Sequence, residues 1–248
     1  NEYFGGGMNA IVFQEMRDAG VKLTRYGIRL DSGDLAYLSK QARKMLDEAG
    51  FTDATITASN DLDEYLLHDL KMQGAAINSW GVGTHLITSK DCPSFGGVYK
   101  LAAVEDDEGN IIPKIKVSEN VEKITIPHFK KVYRFYGRDT GKAIADLITL
   151  HDETVDDSQD MEIFDPMATW KKKTVYNFTA RELLVPIFLN GRRVYDSPSL
   201  PEIQAYCRQQ VDTLWDEVKR FDYPHKYVVD LSRKLWDIQQ ELLRSSQQ

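Results

Sequence analysis

Three short polar stretches carry side chains suited to chemistry, and each follows a short apolar run. They are Arg29-Leu30-Asp31-Ser32-Gly33-Asp34, Ser59-Asn60-Asp61 and Gly81-Val82-Gly83-Thr84. Arg29, Asp31 and Asp34 supply a guanidinium and carboxylates, and Ser59 and Asn60 supply compact hydrogen-bonding groups. Gly81, Gly83 and Thr84 supply accessible backbone N–H groups and a hydroxyl. Amides freed by glycine at a strand end form a cradle for phosphate, because their donors are unpaired and their partial charge is fixed. Carboxylates beside such a cradle can hold ribose hydroxyls, or the magnesium that accompanies a pyrophosphate. The combination suits a phosphorylated sugar. Each group also has a plain structural reading. Asp31 and Asp34 can cap a helix, Ser59 and Asn60 can initiate one, and Gly-x-Gly-Thr can let a strand bend. Their coincidence at three successive strand ends is what favours function.

Alternating elements must position these groups. Tyr26, Ile28 and Leu30 predict a strand over 25–30, after a helix over 8–19. Leu35, Leu38, Ala42, Met45, Leu46 and Ala49 share one face of a following helix, which Gly50 closes. Thr55 to Ala58 predicts a second strand. Asp61, with Glu64 three residues on, reads as the capping box of a helix that runs to Gln73 and closes at Gly74. Ile77 to Val82 predicts a third strand. Connections this short imply parallel strands and right-handed crossovers, with all three polar stretches at one sheet edge. An open doubly wound sheet and part of a β/α barrel both fit this α/β pattern.

After Thr84 the pattern turns β-rich. Gly96 to Val104 predicts a strand, Asp106 to Asn110 a turn, and Ile111 to Val117 the hairpin partner, with Pro113 marking an edge. Lys131 to Tyr136, Ala143 to Leu150, Val175 to Phe178 and Leu183 to Phe188 read as further strands, and Asp152 to Asp160 as an acidic loop. Helices over 200–219 and 231–243 close the chain. A net charge of −7 argues against nucleic-acid binding and against an anionic membrane surface, and Lys171-Lys172-Lys173 reads as a solvated face. No apolar run reaches membrane-spanning length and no secretory signal opens the chain, so a cytoplasmic location is expected. Cys92 and Cys207 are far apart and lack metal-ligand spacing, which predicts reduced thiols and no metal centre. The opening at Asn1, with Gly5-Gly6-Gly7 soon after, reads as a fragment or a junction.

The segments Gly27 to Leu35, Ala58 to Asp61, Gly81 to Thr84 and Gly96 to Leu101 closely resemble nicotinate phosphoribosyltransferase, in the same order and spacing. The likeness extends to Tyr223-Pro224-His225-Lys226-Tyr227 and covers nearly everything after Met8. It points to the C-terminal portion of the longer form of that enzyme. The resemblance implies part of an irregular β/α barrel with the phosphate site over 1–94, strands returning to an open α/β domain over 95–126, and a C-terminal α+β domain over 127–248. It also implies nicotinate, phosphoribosyl pyrophosphate and ATP as substrates, magnesium as the ion of ATP, no tightly bound organic cofactor, and a homodimer. Arg29 and Asp31 would face the ribosyl and pyridine groups, while Asp34, Ser59, Asn60, Gly81, Gly83 and Thr84 would hold ribose or phosphate. The family couples ATP through a phosphorylated histidine upstream of the Arg29–Asp31 strand, and His68, His85, His128, His151 and His225 all stand outside that motif. This fragment alone is therefore expected to lack ATP-coupled turnover. The competing readings are a non-catalytic phosphate-binding module and a quinolinate- or nicotinamide-specific relative.

Overall fold

The computed structural model describes residues 5–94 and 96–246, and it divides the chain into two compact units, Asn1–Gly97 and Val98–Gln248. The first unit contains α1 (Gly5–Asp18), β1 (Gly27–Leu30), α2 (Leu35–Glu48), β2 (Thr55–Ser59), α3 (Glu64–Met72), β3 (Ser79–Gly81) and the short α4 (Thr84–Thr88). Its sheet has the order β1-β2-β3, and both pairings are parallel, as the alternation of strand and helix required.

Side-chain alternation explains which face of that sheet is covered. Ile28, Leu30, Ile56, Ala58 and Trp80 fall on one face and join Ala42, Leu46, Leu35, Ala36 and Leu70 from the helices in the core. Phe51, Leu46 and Ile56 are fully buried, and each stabilises the unit by about 1.5–3 kcal/mol relative to exposure. Ser39 is buried without being orphaned: its hydroxyl donates to Ala36 O (3.0 Å) and accepts from Ala76 N (3.1 Å), tying α2 to the approach to β3. The cap of α3 differs from the predicted one. Asp63, not Asp61, accepts from Leu66 N at 2.8 Å. Asp61 sits in left-handed backbone at φ 41°, and buried Leu62 plugs the turn, so the helix starts two residues later.

The second unit opens with a hairpin of β4 (Ala103–Glu105) and β5 (Ile111–Pro113), whose turn is held by the Asp106 carboxylate accepting from Glu108 N and Asn110 N. Then follow β6 (Lys130–Gly137), β7 (Ala143–Leu150), β8 (Met161–Phe164), β9 (Lys172–Val175), β10 (Phe178–Glu182), β11 (Phe188–Leu189), β12 (Arg192–Arg193), α5 (Leu200–Asp212), β13 (Val229–Leu231) and α6 (Arg233–Ser245). The main sheet runs β10-β6-β7-β13, antiparallel except for the last pair, and β8-β9 and β11-β12 are separate hairpins. Tyr133, Phe135, Leu147, Ile163, Val175 and Phe178 form its core, and Leu150, Leu231 and Leu235 seat α6.

Several boundaries differ from the sequence reading. Gly96 to Ala102 is not strand, and Tyr99 and Val98 are exposed there, because no described strand pairs with it. Leu183 to Ile187 is likewise not strand, although Leu183 N donates to Val132 O and Ile187 O accepts from Val194 N, and the strand in that region is Phe178–Glu182. Helix α5 stops at Asp212 instead of running to 219: Ala143 N takes the Thr213 carbonyl, and Lys142 Nζ takes the Asp212 carbonyl, so the sheet captures the helix end.

Candidate functional site

Parallel pairing fixes which residues share the uncovered face of the first sheet. The registered pairs Leu30 with Ala58 and Ala58 with Trp80 lie on the core face, so the rows on either side of them lie on the other. One such row is Arg29, Thr57 and Ser79. The next is Ser59 and Gly81, with Asp31 one step past the end of β1. Gly27 and Thr55 form the row below. Every member is polar or glycine, the reverse of the core face.

The three predicted polar stretches therefore sit at one edge of one sheet, the carboxyl end of all three strands. Close approach requires glycine at one place on this face and leaves little room at a second. A Cβ on Gly27 would meet Thr55 O at 2.2 Å, and one on Gly81 would meet the Ser59 Cβ at 3.2 Å. Gly83 differs: its added Cβ would meet nothing within 4 Å. A side chain there would enter open space.

The charged groups divide by task. Arg29 and Asp31 form an ion pair, and both side chains are more than half exposed (61% and 57%). An exposed pair of this kind contributes below about 1 kcal/mol, so Asp31 is not there for stability. Asp34 is occupied differently, capping α2 by accepting from Tyr37 N at 2.9 Å. Asn60 follows Ser59 at the end of β2, and Thr84 begins α4, both exposed. A hollow of about 630 Å³ lies lower on the polar face, lined by Thr24 to Arg29 with Asp53, Thr55 and Thr57. Arg29 is the predicted site residue that reaches it.

His85 stands next to Thr84, in the first turn of α4. Its ring is held between Lys90 Nζ (3.0 Å from Nε2) and Asp63, whose Oδ2 lies 3.3 Å from Nδ1 without good hydrogen-bond alignment. The Leu66 N–H first, and His85 further, hold the Asp63 carboxyl below its ordinary range. The cap of α3 thereby braces the turn that carries Gly83. Thr57, Ser79 and this Asp63–His85 link escaped the sequence reading. Period-two counting through the parallel register would have found the first two, whereas the link depends on where α4 folds. Among the described residues, no group of three or more His, Cys, Asp or Glu side chains could hold a metal ion. No helix among them is long and apolar enough to cross a membrane.

Polar and glycine residues lined up at the ends of parallel strands, followed by a separate β-rich unit, place the chain among α/β proteins that present their chemistry on strand ends. Residues 129–239 match the family profile described as the nicotinate phosphoribosyltransferase C-terminal domain. The chain is 49% identical over 220 residues to nicotinate phosphoribosyltransferase of Bacillus subtilis, covering 89% of this chain and 45% of that protein. It is 33% identical over 217 residues to the human protein of that name, covering 84% and 39% respectively. In structure it resembles human nicotinic acid phosphoribosyltransferase with a TM-score of 0.66 at 27% identity, over 88% of this chain and 40% of that one. The chain thus spans less than half the length of these relatives. It is a relative of nicotinate phosphoribosyltransferases and carries their C-terminal domain.

Proposed function

We propose that this chain is the C-terminal portion of a nicotinate phosphoribosyltransferase and supplies the part of its active site that holds ribose and phosphate. The observation that carries the reading is the row of Asp31, Ser59 and Gly81 on the uncovered face of a parallel sheet, capped by the open Gly83 turn. Relatives 49% and 33% identical over most of this chain bear the name nicotinate phosphoribosyltransferase, which favours this reading over quinolinate or nicotinamide specificity. In the whole enzyme the three strands would be part of a β/α barrel, and active sites would be shared across a homodimer.

In the proposed reaction the pyridine nitrogen of nicotinate forms a bond to the ribose C1 as the bond from C1 to pyrophosphate breaks. Both electrons of the broken bond leave with pyrophosphate, so positive charge develops at C1. The Asp31 carboxylate, exposed at the rim, stabilises that charge electrostatically. Arg29 orients it and meets the anionic substrate. Ser59, Asn60, Gly83 and Thr84 receive the 5′-phosphate by hydroxyl, amide and backbone donors. Asp34, committed to its helix, holds the turn in place rather than the ligand. Magnesium finds no ready ligand set among the described residues, and its proposed place is on the pyrophosphate. ATP coupling through a phosphorylated histidine is assigned to residues outside these 248, since the five histidines present stand outside that motif.

Calorimetric titration with nicotinate mononucleotide tests the reading. Gly83→Phe should weaken binding at least ten-fold while the far-ultraviolet circular dichroism is unchanged, because the new side chain fills only open space. Equal affinity in the variant and the parent would overturn the assignment.

A further inference from the structure

Lys171-Lys172-Lys173 reads as a solvated run in sequence, yet the fold places it on the wall of a cleft in the second unit. Two hollows there, of about 310 and 450 Å³, adjoin at Lys173, Lys226, Tyr227 and Val228, which line both. Small-molecule sites run from about 300 to 1,000 Å³. One wall is β9, where Lys173 and Val175 point the same way opposite Ile163 and Met161 of β8. The other is the segment His225 to Val228. It is pinned by His225 N to Glu217 O (2.8 Å), by Asp146 N to Val228 O (3.0 Å) and by Tyr227 OH to Asp146 (2.9 Å).

The chemistry of this cleft changes along its length, with Glu217 and His225 also lining the first lobe and Lys171 and Lys172 the far one. One lobe presents the aromatic rings of Tyr176 and Trp215, which are 65% and 43% exposed. The junction presents Lys173 and Lys226. Among the described residues neither has a carboxylate partner, whereas Lys172 is paired with Glu162 at 2.9 Å. The far lobe presents Asp165 and Asp230. Asp230 is 4% exposed, and no donor among the described residues bonds its carboxyl. Its carboxyl lines the hollow, where water or the hydroxyls of a ligand can reach it and supply donors. Burial, and then the Asp165 charge, push that carboxyl up to about 6, as expected for an acid lacking donors.

From this order of rings, cations and carboxylates we infer that the cleft binds a nucleoside diphosphate carrying a sugar on its terminal phosphate. The base stacks on Tyr176 or Trp215, the diphosphate lies at Lys173 and Lys226, and hydroxyls of the distal sugar donate to Asp230 and Asp165. Base–aromatic stacking is tolerant of base identity because every base has a π-face, and unpaired lysines provide the charge that matches a diphosphate. This site is argued without use of the strand ends of the first unit, so either reading can fail alone.

The test is calorimetric titration of the 248-residue chain with ADP-ribose, ADP and inorganic pyrophosphate. One ADP-ribose should bind per chain, ADP about five-fold more weakly and pyrophosphate at least ten-fold more weakly. The double variant Lys173→Glu, Lys226→Glu should lose at least ten-fold in ADP-ribose affinity, and Asp230→Asn should bring ADP-ribose down to the affinity of ADP. Should the double variant misfold by circular dichroism, Lys226→Glu alone, on an exposed position, decides the point. Gly83→Phe should leave ADP-ribose binding unchanged. Absence of saturable ADP-ribose binding, binding that survives the charge reversals, or binding lost in Gly83→Phe would overturn the inference.

Discussion

Asp31 and Asp34 lie three residues apart and do different work, which substitution can separate. Asp34 satisfies a backbone donor at the start of α2, and losing such a cap costs about 1 kcal/mol. Asp34→Ala should therefore lower stability by that amount in urea denaturation and leave mononucleotide affinity within two-fold. Asp31→Asn should do the opposite, changing stability by less than about 1 kcal/mol, because its ion pair is exposed, while mononucleotide affinity falls. A loss of affinity in the Asp34 variant as large as in the Asp31 variant would contradict this division. Residue types at the strand ends were legible because glycine, serine and aspartate follow three successive apolar runs, a coincidence that no single turn or cap requires. Tasks were not. Asp31 and Asp34 differ only in whether a helix N–H lies within reach, and that is a matter of backbone path.

At the scale of elements, parallel alternation was legible, as were the Asp34 cap and the Gly50 and Gly74 helix ends, but the cap of α3 was not, since Asp61 and Asp63 offer the same side chain and the left-handed turn at Asp61 decides between them. The strands of the second unit were legible where both faces pack, as in β6 and β7, and illegible where pairing fails, as over Gly96 to Ala102. Two charged groups inside this sheet make contrasting predictions. Arg134 bonds Asp146 through Nε and a terminal nitrogen, both at 2.8 Å, on the central strand β7, with Tyr227 OH as a third partner. Arg134→Met leaves the Asp146 carboxylate buried without its countercharge and should cost about 3 kcal/mol in denaturation. Asp230, in the middle of the final parallel pairing, is the reverse case. Its folded pKa, about 6, lies above its ordinary value of 3.8, so the folded state holds the proton more tightly. That contribution is complete below pH 4 and is lost as pH rises through 6. Asp230→Asn should then match the parent in thermal midpoint near pH 4 and exceed it near pH 8, by roughly 1–3 kcal/mol in stability. A variant less stable than the parent at pH 8 would refute this account of Asp230.

At the scale of the whole chain, the two units have separate cores, and their exposed surfaces differ. The first has β1 and β3 as sheet edges and leaves its polar sheet face open, with Ile11, Val12, Leu86 and Ile87 exposed on its helices. Exposed apolar side chains of that kind contribute nothing to the core, and a three-stranded sheet covered on one face buries less apolar surface than a core closed from both sides. The second unit has a four-stranded sheet packed by the β8-β9 hairpin and seated on α6, with Phe135, Ile163, Phe178 and Leu235 nearly inaccessible. Differential scanning calorimetry of the chain should resolve two transitions, the first unit melting below the second. The variants above assign them: Asp34→Ala should lower only the first midpoint, and Arg134→Met only the second. A single transition whose calorimetric and van't Hoff enthalpies agree would show that the chain unfolds as one cooperative body, and the separation into two stabilities would fall.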